Sequence, residues 1–249
     1  MEKVKVVIIG ESCVDEFIYC ETHRLSPEAP VPVLKPIKTI RNNGMSGNTK
    51  DNVKSILKEC DITLITQKEH IVKTRYVENK SNHMFLRVDT GENEISPINL
   101  TDDVRDIIKN SDIAIISDYN KGFLNDGDIN EIGELSKLSI IDSKRELSET
   151  VISNHTFVKL NEVEYLNNEG LNHEGLIVTL GSKGAKHNNK LYPSSNPQET
   201  IDVSGAGDTF TASFITHYYQ TRDISSSIME ANKKASDVVS RRGVVTPNK

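Results

Sequence analysis

The sequence predicts an α/β fold: a mostly parallel sheet wound on both sides by helices, with a small β lid. Short β-branched apolar runs alternate with polar amphipathic segments along the chain, the rhythm of strand–helix–strand units. Several of those runs are apolar without alternation, as strands covered on both faces are. Late in the chain a glycine-rich run, Asp202-Val-Ser-Gly-Ala-Gly-Asp-Thr-Phe210, follows a strand-like stretch and opens a helix. Sheets of this kind collect ligands at such junctions.

In chain order, Val4–Ile9, Ile62–Ile65, Ile113–Ile116, Leu138–Ile141, Thr156–Leu160 and Gly175–Leu180 read as buried strands. Between them Thr49–Lys58, Thr101–Lys109, Asp126–Ser136 and Asn161–Asn168 read as helices. In the final segment Phe210, Phe214 and Tyr218 recur every fourth residue, placing three aromatics on one helix face. Two stretches break the rhythm. Ser26-Pro-Glu-Ala-Pro-Val-Pro-Val33 is too proline-rich for a central strand and suits an edge or an extended crossing segment. Lys73–Val77 and His83–Asp89 flank a polar turn, Glu78–Asn82, as a hairpin does. These segments, near 16–40 and 71–90, form either a lid over the strand ends or a peripheral hairpin. No repeat or linker divides the chain, so one domain over 1–249 is expected.

The bulk composition excludes several classes of function. The net charge is −6 over 249 residues, and no long basic run is present. That argues against nucleic acid or an anionic membrane surface as the main partner. Cys13, Cys20 and Cys60 are odd in number and lack C-x-x-C spacing, which suits reduced thiols in a cytoplasmic protein. The seven histidines are scattered without zinc-ligand spacing. No apolar run has the length of a membrane span, and a secretory h-region is not found at the N-terminus. A cytoplasmic enzyme or binding protein is the expectation.

The candidate site residues lie at strand ends. Gly205 and Gly207 let the backbone turn tightly, and the N–H groups of Gly205, Ala206 and Gly207 fall where a helix start leaves amides unpaired, a place that receives phosphate. Asp208 in the same turn supplies a base. The plain alternative is a glycine turn feeding a buried helix, with Asp208 favouring the helix start. Asp15 follows the first strand, as either a turn residue or a holder of substrate hydroxyls. Gly44-Met-Ser-Gly-Asn48, containing Gly47 and Asn48, and Ile115-Ile-Ser-Asp-Tyr-Asn-Lys-Gly122, containing Asp118 and Lys121, place small, polar and charged groups at further strand ends. Asn161 and Glu164 lie one helical turn apart, suited either to hydrated Mg²⁺ or to an ordinary N-cap with a first-turn Glu. Ile177-Val-Thr-Leu-Gly-Ser-Lys-Gly184 closes a strand with a glycine turn. A G-x-G-x-x-G dinucleotide fingerprint is absent.

Taken in this order, the motifs resemble those of the ribokinase-like (pfkB) carbohydrate kinase family, over about Val4 to Gly243. Asp202-x-x-Gly-Ala-Gly-Asp208 is the most specific element, and Ala231-Asn232 and Gly243 also fit. Within the family the nearest likeness is to the heptose-7-phosphate kinases of ADP-heptose synthesis, carried by Arg24-Leu-Ser-Pro-Glu-Ala-Pro-Val-Pro-Val33, Arg87-Val-Asp89 and Ser117–Gly122. The resemblance implies a ribokinase-like three-layer sandwich with a β lid, shared across a homodimer, and ATP with Mg²⁺ as cofactors. It makes Asp208 the catalytic base and the amides of Gly205, Ala206 and Gly207 the anion hole. Asn161, Glu164, Thr179, Gly181, Gly184 and Asn232 would serve ATP, with Glu164 holding Mg²⁺ through water. Asp202 would lie by a monovalent-cation site, K⁺ being the natural occupant. Asp15, Gly47 and Asn48 would hold sugar hydroxyls, alongside Asp118. A sugar phosphate also needs cations away from Asp208, and Lys121 and Arg87 are the candidates, with Arg24 and Arg75 in reserve.

The sequence departs from the family pattern in three places. Asn43-Gly44-Met45 replaces the paired glycines of the sugar-binding turn. The segment from Asn48 to Lys73 and that from Glu164 to Gly175 are both short. A nucleotidyltransferase partner domain is also expected to be absent. Two other readings stay open: a kinase of the same fold for another sugar or a nucleoside, and a non-catalytic member that binds a sugar phosphate or nucleotide.

Overall fold

The structure is a computed structural model describing residues 3–194, 205–239 and 246–247. The chain opens with β1 (Val4–Gly10), β2 (Ser12–Leu25), β3 (Pro32–Met45), α1 (Ser46–Ile56), β4 (Cys60–Ile65), β5 (Val72–Glu78) and β6 (Met84–Thr90). It continues with α2 (Asp102–Asn110), β7 (Ile113–Asp118), α3 (Asp126–Leu135), β8 (Ser139–Ser143), α4 (Glu149–Ile152), β9 (Phe157–Asn161) and α5 (Glu162–Asn167). The last elements are β10 (Leu176–Thr179), β11 (Ala185–His187), β12 (Lys190–Tyr192), α6 (Ala206–Thr221) and α7 (Ile224–Val239).

Eight strands form the large sheet in the order β12-β11-β10-β9-β8-β7-β1-β4. The six from β10 to β4 run parallel, and β11 and β12 add antiparallel at one edge. Side-chain alternation explains why the runs are apolar throughout. Val6 and Ile8 of β1 pack into one layer with α1, α6 and α7, while Val7 and Ile9 pack into the other with α2, α3 and α4. The result is the expected three-layer arrangement. Phe210, Phe214 and Tyr218 do share a face of α6, where the Phe157 ring packs edge-on to Phe214 and Tyr218 at 4.8 and 4.7 Å. From β1 the chain builds outward to β4 on one side and β7 on the other, so the sheet has a switch point between β1 and β7.

The second sheet is larger than the sequence suggested. The expected hairpin forms as β5 and β6, and β2 and β3 extend it to a sheet of four strands in the order β3-β2-β5-β6. β2 and β3 are each 14 residues long. Their mixture of buried and charged positions carries too little apolar signal to announce a strand. The proline-rich run forms the β2–β3 connection and the start of β3, and β3 is an edge strand, so the missing N–H groups of Pro32 and Pro36 break no ladder to a second neighbour. Asp15 therefore lies within β2 and not in a turn after the first strand, while Gly47 and Asn48 lie inside α1.

Between α4 and β9, His155 is 4% exposed, with one ring nitrogen 3.2 Å from Ser139 Oγ and the other 3.0 Å from the Ile129 carbonyl. Burial pushes its pKa down to about 4 from 6.5. The unfolded chain thus takes up this proton at higher pH than the native protein. The native state is unpenalised above about pH 6.5 and loses stability as pH falls toward 4, by about 3 kcal/mol at the limit. We expect urea unfolding above and within that window to show the loss, and His155→Gln to remove most of the pH dependence.

Candidate active site

Helix α6 begins at Gly205, which takes a left-handed conformation with φ 80°. A side chain there would strain the turn that aims the first amides of α6 away from the helix body. Asp208, 6% exposed, sits in that first turn. Asn48 Nδ2 donates to its Oδ2 at 2.8 Å, and the Tyr119 hydroxyl donates to its Oδ1 at 2.9 Å. Burial raises the Asp208 pKa to about 6; the Asn48 hydrogen bond opposes that rise, Asp142 adds to it, and Tyr119 and Lys159 oppose it. The outcome is a carboxylate poised near neutrality. Burial, with the Asp208 charge beside it, pushes the Tyr119 phenol well above its usual range, so it remains a donor.

Two cavities meet at this point. The larger, about 640 Å³, is bordered by Asn161, Thr179, Gly181, Gly184 and Asn232. The smaller, about 340 Å³, is bordered by Asp15, Asn48, Lys73, Arg75, Arg87 and Lys121. Tyr119, Lys144, Gly205 and Asp208 border both. A ligand filling each cavity would therefore bring its end to the same carboxylate and the same helix amides.

Not every sequence-predicted residue reaches these cavities. Asp118 is fully buried, and Arg145 grips it with two hydrogen bonds of 2.6 and 3.1 Å while Ser143 donates to it as well. Its oxygens are spent on the loop scaffold, which corrects the expectation that it holds substrate. Gly47 borders a separate pocket with Asn43 and Lys50. Arg24 is exposed near the far end of β2. Glu164 closes a capping box with Asn161 and pairs with Lys144 at 3.0 Å, so the capping alternative holds in this structure and the carboxylate also carries a cation. Asn232 donates to the Tyr192 carbonyl at 2.9 Å, tying α7 to β12 at the cavity wall. Asp202 and Gly243 lie outside the described residues.

Other residues enter the site unannounced. Tyr119 was visible only as part of the Ser117–Gly122 run. Glu11, fully buried, accepts amides from Tyr119 at 2.9, Lys121 at 2.9 and Phe123 at 3.2 Å. Lys159 Nζ lies 2.9 Å from Asp142 Oδ2 beneath α6. Glu92 takes Lys73 at 3.2 and Lys121 at 2.6 Å, Arg87 forms two bonds to Asp89, and Arg75 pairs with Asp15. Each of these cations already has a carboxylate partner, but Lys73 and Lys121 share Glu92.

Residues 143–249 match the family described as pfkB family carbohydrate kinase. It is 28% identical, over 304 residues and 99% of its length, to "Bifunctional protein HldE" of Campylobacter curvus. The aligned span exceeds this chain's 249 residues, so the relative carries segments missing here. The chain spans 64%, 62% and 59% of the length of three such relatives. By structure it is similar to Arabidopsis thaliana ribokinase complexed with ribose and ATP, with TM-score 0.70 and 15% identity over 100% of this chain and 96% of that one. It is similar also to the nucleoside kinase of Methanocaldococcus jannaschii, with TM-score 0.67 and 18% identity over 98% and 94% of the two chains. At such identities the likeness establishes the ribokinase-like fold.

Kinases of this family use ATP and Mg²⁺. Among the described residues no group of three or more His, Cys, Asp or Glu could enclose a metal ion. Mg²⁺ needs no such cage, since it keeps much of its water and takes oxygens from phosphates, adding one or two carboxylates. Asp142 on the larger cavity and Glu164 beside it suit that demand. Among the described residues no helix is long and apolar enough to cross a membrane.

One close approach shapes the wall of the smaller cavity. A Cβ at Gly44 would lie 2.2 Å from Asp15 Oδ2 and 2.5 Å from Cys13 Sγ. We expect Gly44→Ala to dislodge Asp15 from Arg75 and to destabilise the fold by about 1–3 kcal/mol in chemical denaturation.

Proposed function

We propose that the protein transfers the γ-phosphoryl group of ATP to the anomeric hydroxyl of a sugar phosphate such as D-glycero-D-manno-heptose 7-phosphate. The observation that carries this reading is the meeting of two cavities at Asp208 and the start of α6. ATP occupies the larger cavity, with Asn161 and Thr179 along its wall. The acceptor occupies the smaller one, its hydroxyls toward Asp15 and Asn48. The acceptor oxygen bonds to the γ-phosphorus, and the bond from that phosphorus to the β-phosphate oxygen breaks, leaving its electron pair on ADP. Asp208 takes the hydroxyl proton, while Asn48 and Tyr119 hold the carboxylate in place. The amides of Gly205, Ala206 and Gly207 meet the negative charge of the phosphoryl oxygens. Bound Mg²⁺ supplies charge neutralisation at the ATP phosphates, with Asp142 and Glu164 as the carboxylates nearest to it.

The heptose phosphate assignment draws on the HldE relatives and on the cations of the smaller cavity. In this reading Asp202 attends a K⁺ site, the small sheet is a lid shared in a homodimer, the whole chain is one domain, and the protein works in the cytoplasm. One observation favours a second reading, a kinase for a neutral sugar or a nucleoside: Arg75, Arg87, Lys73 and Lys121 are all ion-paired without a ligand, with Lys73 and Lys121 sharing Glu92. An ADP-release screen across sugar phosphates, free sugars and nucleosides separates the two.

Asp208→Asn keeps the size and hydrogen bonding of the side chain but removes the base. Turnover should fall by about 10²–10⁴, with the KM for ATP changed only a few-fold. In the parent, kcat should be sustained above the Asp208 pKa and decline as pH drops through about 6, since a protonated carboxyl cannot accept the proton. Near-parental turnover by the variant would make Asp208 a structural residue.

Lys121→Met and Arg87→Gln should lower kcat/KM about ten- to a hundredfold for the phosphorylated acceptor and little for its dephosphorylated analogue. Equal losses on both acceptors would mean damage to the small sheet. Better turnover of free sugars by the parent would overturn the sugar phosphate assignment while leaving the kinase reading.

A further inference from the structure

Lys159 lies on β9, an inner strand of the parallel sheet, and is 4% exposed. Strand alternation puts it on the same face as Phe157, toward α6, while Val158 and Leu160 face the opposite layer. Its ammonium packs against the first turn of α6: a Cβ on Gly207 would lie 3.2 Å from Nζ. The partner strand brings Asp142 into register with it, and Asp142 Oδ2 accepts both from Lys159 at 2.9 Å and from the Thr211 hydroxyl of α6 at 2.9 Å. Burial works against the charge, but Asp142, Glu164 and Asp208 outweigh it and raise the pKa, so the lysine is protonated.

This placement is costly for a purely structural residue. A helix N-terminus carries positive partial charge and favours anions, yet here a cation is pressed against it. A buried ion pair contributes little net stability compared with apolar residues of the same volume. Of the three N–H groups on the ammonium, the described contacts fill one, with Asp142. The rest remain for a ligand in the larger cavity, which Lys159, Asp142 and Gly207 all border. A multiply charged anion at the α6 amides relieves the helix–lysine repulsion and takes the spare donors.

We propose that Lys159 is a catalytic residue whose ammonium contacts the phosphoryl group in transfer, beside the amides of α6, with Asp142 as its positioning residue. The proposal rests on the kinase reading given above. As the acceptor oxygen bonds to the γ-phosphorus and the bond to the β-phosphate oxygen breaks with its electron pair passing to ADP, Lys159 remains protonated and offsets charge on the phosphoryl oxygens. It neither gives nor takes a proton, and Asp208 receives the proton of the hydroxyl.

The test compares the parent with Lys159→Gln and with the paired variant Lys159→Gln/Asp142→Asn, which leaves no stranded charge. Calorimetric binding of AMP reports whether the cavity is intact, and single-turnover kinetics with ATP and the best acceptor report the chemical step. We expect the affinity for AMP, measured without Mg²⁺, within about twofold of the parent in the paired variant, and a chemical step slower by about 10²–10³ in both variants. A variant that binds AMP normally and transfers phosphoryl at near-parental rate overturns the proposal while leaving the kinase reading in place. Loss of AMP binding in the paired variant overturns it as well, because the pair is then part of the cavity's framework. A parent that binds no adenine nucleotide overturns the kinase reading itself.

Discussion

The Glu11 carboxylate, buried where β1 hands the chain from the large sheet to the small one, is the contact on which the site depends. It accepts three main-chain amides from the loop that follows β7. Amides in a loop buried without acceptors would each cost about 1–3 kcal/mol, so the carboxylate fixes the loop's course as well as its position. Two functional side chains inherit that placement. Tyr119 reaches across to Asp208, and Lys121 reaches Glu92 at the end of β6. Through one side chain the switch point of the large sheet, the start of α6 and the small sheet are held in a common geometry.

The charge pattern around that geometry divides in two. On the donor side, positive elements converge: the α6 amides and Lys159, with Asp142 as the near counter-charge. Along the smaller cavity, Lys73, Arg75, Arg87 and Lys121 are paired with three carboxylates, Asp15, Asp89 and Glu92, the last shared by the two lysines. A converging positive field suits a ligand that is always highly charged, as a nucleotide triphosphate is. A set of resident pairs responds instead to the ligand's own charge, because an incoming group must exchange partners with a resident carboxylate. In the proposed reading, donor binding is built into the main chain, whereas acceptor selection lies in side-chain pairs.

Much of the donor side was legible in the sequence because main-chain requirements leave marks. Gly205 and Gly207 signal a tight turn, Asp208 follows at helix spacing, and Asn161 with Glu164 carries a cap signature. The six parallel strands were readable for the same reason, since burial on both faces demands unbroken apolar runs. The small sheet was not, because β2 mixes buried and charged positions and starts just after β1, while β3 is exposed along most of its length and opens on prolines. Lys159, Asp142 and Glu11 were hidden for a different reason: charged residues inside or beside apolar runs look like surface positions until the strand register pairs them. Asp118 failed the other way. Its strand-end location suggested a ligand holder, but Arg145, 27 residues on, claims its carboxylate.

Met45 shows how a local departure can leave the backbone demand intact. At the end of β3, where the family's paired glycines would end, this chain has a methionine with φ 57°. A left-handed non-glycine residue costs roughly 1–3 kcal/mol and persists only when its surroundings enforce it. Here the Met45 side chain is buried against Cys13 and Ile71, and Ser46 donates its main-chain N–H to the Glu11 carbonyl at 2.9 Å. Packing on one side and the Glu11 junction on the other hold the turn that glycine would have permitted freely. The turn in question leads directly into Asn48 and its bond to Asp208. The strain therefore sits one helical turn before Asn48, where a relaxation toward ordinary φ would swing Asn48 away from Asp208. Glycine freedom has been exchanged for side-chain packing, and the acceptor wall has become a property of the small sheet's core.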